Sequence, residues 1–193
     1  MLWLDSITAA DSLPAIWLIA SGEAPRNRPE RTSLRHGISR QIIAAQTGIK
    51  ADQVVLSHDS AGRLLPFGSG LRTIHISHAT RNGFVAVALA SGPVGVDVEA
   101  VDAGPIPVQA LHLAERTWLV GLPESRRPEA FAQLWAAKEA HGKWAGTGLV
   151  EPDRFPILPD QTGGWIASGL IAAVITTRLV VRNGTALAVA VAH

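Results

Sequence analysis

Cysteine is absent from the 193 residues, which excludes disulfides and thiolate metal sites. Charge is scarce too: 17% of residues are charged and the formal net charge is +1, too small an excess to imply nucleic acid by itself. No apolar run nears the ~18 residues of a membrane-spanning helix; Leu13–Ala20 is among the longest. Ahead of it stand Asp5 and Asp11 and no Lys or Arg, the wrong charge for a secretory signal. "GSG" (68–70) and "GTG" (146–148) lack the following Lys-Ser/Thr of a phosphate loop and read as turns. These absences predict a soluble, cytoplasmic protein with no membrane partner. What the chain does have is apolar material, 47% of its residues, enough for a sizeable core.

The pattern along the chain predicts a mixture of helices and strands. "LPAIWLIA" (13–20) reads as a buried strand, followed by a loop at Gly22, Pro25 and Pro29. Over 30–47, Leu34, Ile38, Ile42 and Ala45 recur at helical spacing, with Gly48 as a stop. A loop-rich stretch runs through "SAGRLLPFGSG" (60–70). Strands are expected at "LRTIHIS" (71–77), "FVAVALA" (84–90) and "VGVDVEA" (94–100), the last ended by the prolines and glycine of 103–107. A second long helix fits 128–144, with Pro128 in its first turn and Phe131, Leu134, Trp135 and Lys138 on one stripe. "GWIASGLIAAVITTRLVV" (164–181) and "ALAVAVA" (186–192) return to strands. Arg-Asn-Gly followed by a large/alanine alternation begins at Arg81 and again at Arg182. The repeat predicts two similar α/β halves, divided as 1–102 and 103–193.

Two short stretches carry chemistry. In "PVGVDVEAVD" (93–102), Asp97 and Glu99 lie two apart and so share a strand face. Neighbouring carboxylates repel unless solvent or a cation lies between them. In "LWAAKEAHGKW" (134–144), Glu139 and Lys143 lie four apart on one helix face. An exposed pair of this kind is worth only ~0.2–0.5 kcal/mol, but Trp135 sits one turn earlier, so the face adjoins apolar material. Lys138 stands beside the core stripe, where an ammonium needs an anionic partner. Three carboxylates and two lysines together call for an oxygen-coordinated divalent cation beside phosphate.

Other candidates are weaker. Arg26, Arg28, Arg31, Arg35 and Arg40 suit a solvated face, a phosphate-binding edge or nucleic acid; the segment has no aromatic to stack bases, which argues against single strands. His75 and His78, three apart on a strand, face opposite ways and make no metal pair. Ser77 and His78 fail as a hydrolase pair for the same reason. His58, His112 and His193 give no signal.

These motifs resemble the 4′-phosphopantetheinyl transferases of the Sfp type. That family's Gly-x-Asp-x-Glu strand is matched by "VGVDVEA", and its Trp-x-x-Lys-Glu-Ala/Ser-x-x-Lys helix by "WAAKEAHGK" (135–143). Its Ile-Ser-His element is similar to "ISH" (76–78), its basic helix to "RTSLRHGISR" (31–40), and its last strand to "LAVAVAH" (187–193). The resemblance implies an α/β (α+β) fold of two subdomains in pseudo-twofold arrangement, each a small, mostly antiparallel sheet packed on a long helix, with the site in the cleft between them. It implies a monomer that moves the phosphopantetheine arm of coenzyme A onto a serine of an apo acyl- or peptidyl-carrier protein, in fatty acid or secondary metabolism, releasing adenosine 3′,5′-bisphosphate. By position, Asp97, Glu99 and Glu139 would hold Mg²⁺, and Glu139 would also activate the serine. Lys143 would stabilise the leaving pyrophosphate charge, with Lys138 assisting. His78, Arg31 and Arg40 would bind the 3′-phosphate end, and Arg63 a phosphate. Residues 106–122, with Leu111, Trp118 and Leu119, suit either a docking patch for the carrier protein or internal packing of a linker helix.

The chain departs from the family at two places. Gly62-Arg63 is separated from Pro66 by two leucines, and His141-Gly142 replaces bulky apolar residues. Glycine inside a helix costs roughly 1 kcal/mol, which predicts a looser hold on Lys143. The alternative to an enzyme is a catalytically impaired homologue acting as a coenzyme A- or carrier-binding regulatory module.

Overall fold

The computed structural model describes residues 1–22, 24–102, 104–148, 154–167 and 173–193. The first part of the chain forms β1 (Leu2–Leu4), β2 (Ala15–Ala20), helix α1 (Arg28–Thr47), and strands β3 (Val55–His58) and β4 (Leu64–Phe67). Then come β5 (His75–Arg81), β6 (Phe84–Ala90) and β7 (Gly95–Ala100). Helices α2 (Leu113–Val120) and α3 (Arg127–Ala145) precede β8 (Ile157–Pro159), β9 (Gly164–Ala167), β10 (Ile175–Arg182) and β11 (Thr185–Ala192).

Local chemistry sets the helix ends. The Asn27 side chain accepts from the Glu30 N–H at 2.9 Å and Pro29 occupies the first turn, so α1 begins at Arg28, two residues before the predicted start at 30. Gly48, in the left-handed region at φ 75°, donates its N–H to the Ala44 carbonyl and closes it. Helix α3 runs unbroken through Gly142 to Ala145. The expected strand at 71–77 forms later, at 75–81, and the stretch read as loop contains the short β3–β4 hairpin. Part of the predicted strand at 164–181, residues 168–172, lies outside the described residues.

Two main sheets result, ordered β1-β2-β6-β5 and β7-β11-β10-β9-β8. The acidic strand β7, expected with residues 1–102, pairs antiparallel with β11, Asp97 opposite Ala190 and Glu99 opposite Ala188. The boundary at 102 is therefore corrected: β7 crosses into the sheet of the later half, because β11 offers it a long partner edge. Strand β5 of the first sheet meets β7 through a side chain, the Val96 N–H donating to the buried Ser77 hydroxyl at 3.0 Å.

The core falls into three apolar zones. Ile38, Ile42 and Ile43 of α1 pack on Trp17, Ile19, Val85, Val87 and Leu89. Between the sheets, Ile16, Leu18 and the alanines of β6 meet Val94, Val96 and Val98 and the large residues of β11. On the far side, Leu134, Ala136, Ala137 and Ala140 of α3 pack on Ala190 and Ala192. The order is helix, sheet, sheet, helix, while Ile166, Leu179 and Val181 on β9 and β10 stay exposed.

Candidate active site

Alternation along β7 sends Val94, Val96 and Val98 into the zone between the sheets, which turns Gly95, Asp97 and Glu99 towards α3. Gly95 makes that approach possible. A Cβ there would lie 1.9 Å from the Ala140 carbonyl oxygen and 2.6 Å from the Trp144 nitrogen, so only glycine lets the strand lie so close to the helix.

Close packing brings Glu139 and Lys143 against the strand. Lys143 Nζ donates to Asp97 Oδ1 at 2.7 Å and to the Val96 carbonyl at 3.0 Å, so the predicted loosening by Gly142 does not occur. Asp97 is 6% exposed, and its Oδ2 is buried with no hydrogen-bond partner. Glu99 forms an ion pair with Arg81, its carboxylate 3.1 Å from Nε. Burial raises the pKa of Asp97, with Lys143 pulling it back. Burial, then the charge of Asp97, pushes Glu99 up to about 7; Glu139 adds to the rise, while Arg81 and Lys143 oppose it. Glu139 is also raised, by burial and then by Asp97, against Lys143. The three carboxylates thus feel one another's charge.

Among the described residues, no three His, Asp or Glu side chains form a ready-made metal cage. Mg²⁺ typically takes one or two carboxylates, with substrate phosphates and water completing its shell. A buried, unsatisfied Oδ2 beside two further carboxylates of raised pKa is a donor set that fits this ion. Next to Glu99 a cleft of about 370 Å³ opens between Arg81, Asp102, Ile106, Phe131 and Trp135.

Beyond Lys143 lies a basic region. His78 is buried on β5, its Nδ1 3.1 Å from the Ser39 hydroxyl of α1. Burial, then the nearby basic groups Arg35, His36, Lys143 and His58, holds its pKa well below the usual imidazole value. Arg31 is exposed and Arg40 half-buried on the same helix. Arg63 pairs with Asp59 at 2.9 Å, and its stem lies against Gly146 at the end of α3.

Two expectations are corrected. Lys138 does not face phosphate: it is 4% exposed and paired with the fully buried Glu115 of α2, and it also donates to the Phe155 carbonyl at 3.3 Å. Glu115 further accepts the Ile157 and His112 N–H groups, each at 2.8 Å, and so ties α2, α3 and β8 together. Sequence reasoning asked for an anion near Lys138 and missed which one, although a Glu three residues after the helix-capping His112 was a visible signal. Likewise Leu111 and Leu119 are fully buried, and Trp118 packs edge-on against Trp165 at 5.4 Å, so these side chains serve the interior rather than a docking patch. Ser39, Ser77 and Arg81 also went unassigned, since each acquires its role only through a distant partner.

The model of the 4′-phosphopantetheinyl transferase superfamily matches residues 93–191, more than half the chain. The chain belongs to this superfamily. The matched stretch includes β7 and α3 with their acidic residues and begins after His78 and α1, and the mixed α/β fold agrees with the resemblance. Among curated relatives, 4′-phosphopantetheinyl transferase gsp of Aneurinibacillus migulanus is 30% identical over 135 residues, covering 68% of this chain and 55% of the relative. Psf-1 of Bacillus pumilus, of the same description, is 27% identical over 126 residues, 62% of this chain and 51% of the relative. The chain therefore spans about half the length of the curated relatives it matches. A solved holo-(acyl-carrier-protein) synthase from Bacillus anthracis str. Ames, in complex with CoA (3′,5′-ADP), is 24% identical and covers 52% of this chain and 94% of its own, at a TM-score of 0.39.

Proposed function

We propose that this protein transfers the 4′-phosphopantetheine arm of coenzyme A to a serine hydroxyl of an apo carrier protein, using Mg²⁺ and releasing adenosine 3′,5′-bisphosphate. The observation that carries the reading is the meeting of Asp97 and Glu99 from β7 with Glu139 and Lys143 from α3, residues some forty positions apart in sequence. Membership of the superfamily supports it.

Asp97, Glu99 and Glu139 would hold Mg²⁺, which when bound polarises the pyrophosphate oxygens. Glu139 takes the proton of the carrier serine; its raised pKa moves it towards the range where a general base works best. The serine oxygen bonds to the phosphorus that carries pantetheine, and the bond from that phosphorus to the bridging oxygen breaks. Lys143 meets the charge that grows on the departing phosphate. An ammonium has three donors, and two are engaged, on Asp97 and on the Val96 carbonyl. Catalysis of this kind rests on positioning and charge stabilisation. His78 and Arg31 take the 3′-phosphate end, Arg40 and Arg63 lend positive charge nearby, and the protein acts in the cytoplasm as a monomer. No helix among the described residues is long and apolar enough to cross a membrane.

The test is intact-mass analysis of a panel of apo carrier proteins incubated with coenzyme A and Mg²⁺. A phosphopantetheine-sized gain that needs metal and vanishes in Glu139→Ala supports the reading. Coenzyme A binding with no gain on any carrier replaces it with the regulatory module.

A further inference from the structure

Helix α1 and the β3–β4 hairpin bring more cationic groups to His78 than the family motifs assign. The His36 ring lies 5.5 Å from that of His78 and 6.4 Å from that of His58, centroid to centroid. Arg35 Nε and His36 Nε2 are buried without a hydrogen-bond partner. The charged groups acting here share one sign: Arg35 and Arg40 of α1 and His58 of β3 on His36, and Arg28 and Arg31 on Arg35. On His78 they are Arg35, His36, His58 and, from α3, Lys143. The carboxylate on the hairpin, Asp59, is committed to Arg63. Such a gathering of basic groups, with donors turned inward and no free anion to meet them among the described residues, is costly unless a ligand brings the anion.

We propose that His36 and His58, with Arg35, extend the phosphate-binding edge of His78 and Arg31, so that capture of the 3′-phosphate of coenzyme A takes up a proton and distinguishes coenzyme A from its dephospho form. The proposal rests on the transferase reading and adds residues to it. A phosphate monoester carries close to two negative charges at neutral pH, its second pKa lying near ~6. In the free protein, burial and then the charges of His58, Arg40 and Arg35 hold His36 below the usual imidazole value. A dianion beside it favours the imidazolium, which offers both ring nitrogens as donors. The sign follows: binding is strongest where the proton is available and weakens as pH rises through the ligand-bound pKa of His36. One coupled proton makes the slope at most about tenfold per pH unit. Ser39 completes the arrangement as a positioning residue. The Ser39 hydroxyl lies 3.1 Å from Nδ1 of His78, and a hydroxyl that donates there would keep the ring proton on Nε2, the nitrogen left for phosphate.

The experiment is calorimetric titration of the full chain with coenzyme A and with dephospho-coenzyme A, in two buffers of different ionisation enthalpy. Wild type is expected to bind coenzyme A at least tenfold more tightly than the dephospho form and to take up protons with the former alone. In His36→Asn/His58→Asn both differences shrink towards none. His58 is exposed, so His58→Asn alone probes the idea without disturbing the core and should lower the preference severalfold. A double variant that keeps the wild-type preference and proton uptake overturns this proposal and leaves the transferase reading standing. Failure of the wild type to bind either nucleotide overturns both.

Discussion

Strands β6 and β11 carry the same alternation of large residues and alanine, and the fold turns it opposite ways. In β6, Val85, Val87 and Leu89 face α1, and the alanines face the second sheet. In β11, Leu187, Val189 and Val191 face the first sheet, and Ala190 and Ala192 face α3. Each strand follows a two-residue Asn-Gly turn with both residues left-handed: φ is 45° and 77° at Asn82 and Gly83, 49° and 74° at Asn183 and Gly184. The sequence repeat is thus a repeat of turn and strand, while the packing differs. Helix α1 rides on bulky side chains and stands off its sheet. Helix α3 meets alanine with alanine and glycine, and that intimacy delivers Glu139 and Lys143 to the acids of β7.

Breaking the contact chemically should have the largest effect. Asp97→Ala or Glu139→Ala should lower turnover on an apo carrier protein by at least ~100-fold, the scale of a lost general base or charge-stabilising group. Wild-type turnover in either would show that the α3 side is not the reacting side. Next comes Lys138→Met, which strands the buried Glu115 charge and should cost about 3–5 kcal/mol in denaturant unfolding; a loss confined to coenzyme A affinity would restore Lys138 to the phosphate. Gly95→Ala should cost about 3 kcal/mol, the upper part of the overpacking range, because backbone atoms of α3 occupy the Cβ position.

A subtler probe uses pH. Burial and then the charge of Asp97 push the Glu99 carboxyl up to about 7, far above the ordinary glutamate range. The metal-free fold therefore gains from holding that proton below the unfolded pKa, and the gain fades as pH climbs through about 7. Melting temperature should fall from pH 5 to pH 8 in part through this residue, and Glu99→Gln should flatten the slope; an unchanged slope would count against a buried, crowded Glu99. The smallest effect sharpens the contrast from the other side. A Cβ at Gly37 of α1 would meet nothing within 4 Å. Gly37→Ala should stabilise by ~0.5–1 kcal/mol, where the same change at Gly95 destabilises.

Much of this was legible in the sequence for a physical reason. Both long helices announce themselves through spacing, and Asp97, Glu99, Glu139 and Lys143 through paired charges that ordinary surfaces do not need. What stayed hidden depends on distant partners. The union of β7 with β11 is a pairing between residues almost a hundred positions apart, and nothing local distinguishes it from pairing with β6. Lys138 advertised a need for an anion, yet nothing local links it to Glu115, 23 positions away in sequence. His36 and His58 look unremarkable until α1 and the hairpin are folded over β5. The hairpin itself was read as loop because Val55, Ser57, His58 and Phe67 are exposed, leaving little apolar alternation to see.

The alanine-lined seat of α3 also decides where this chain can be remodelled. Residues 136, 137 and 140 are fully buried, so growth in side-chain size there should push the reacting groups out of register. New substrate tolerance has to be sought along the open wall of Phe131, Trp135 and Ile106, or on the outer turns of α1, where a larger residue displaces only solvent.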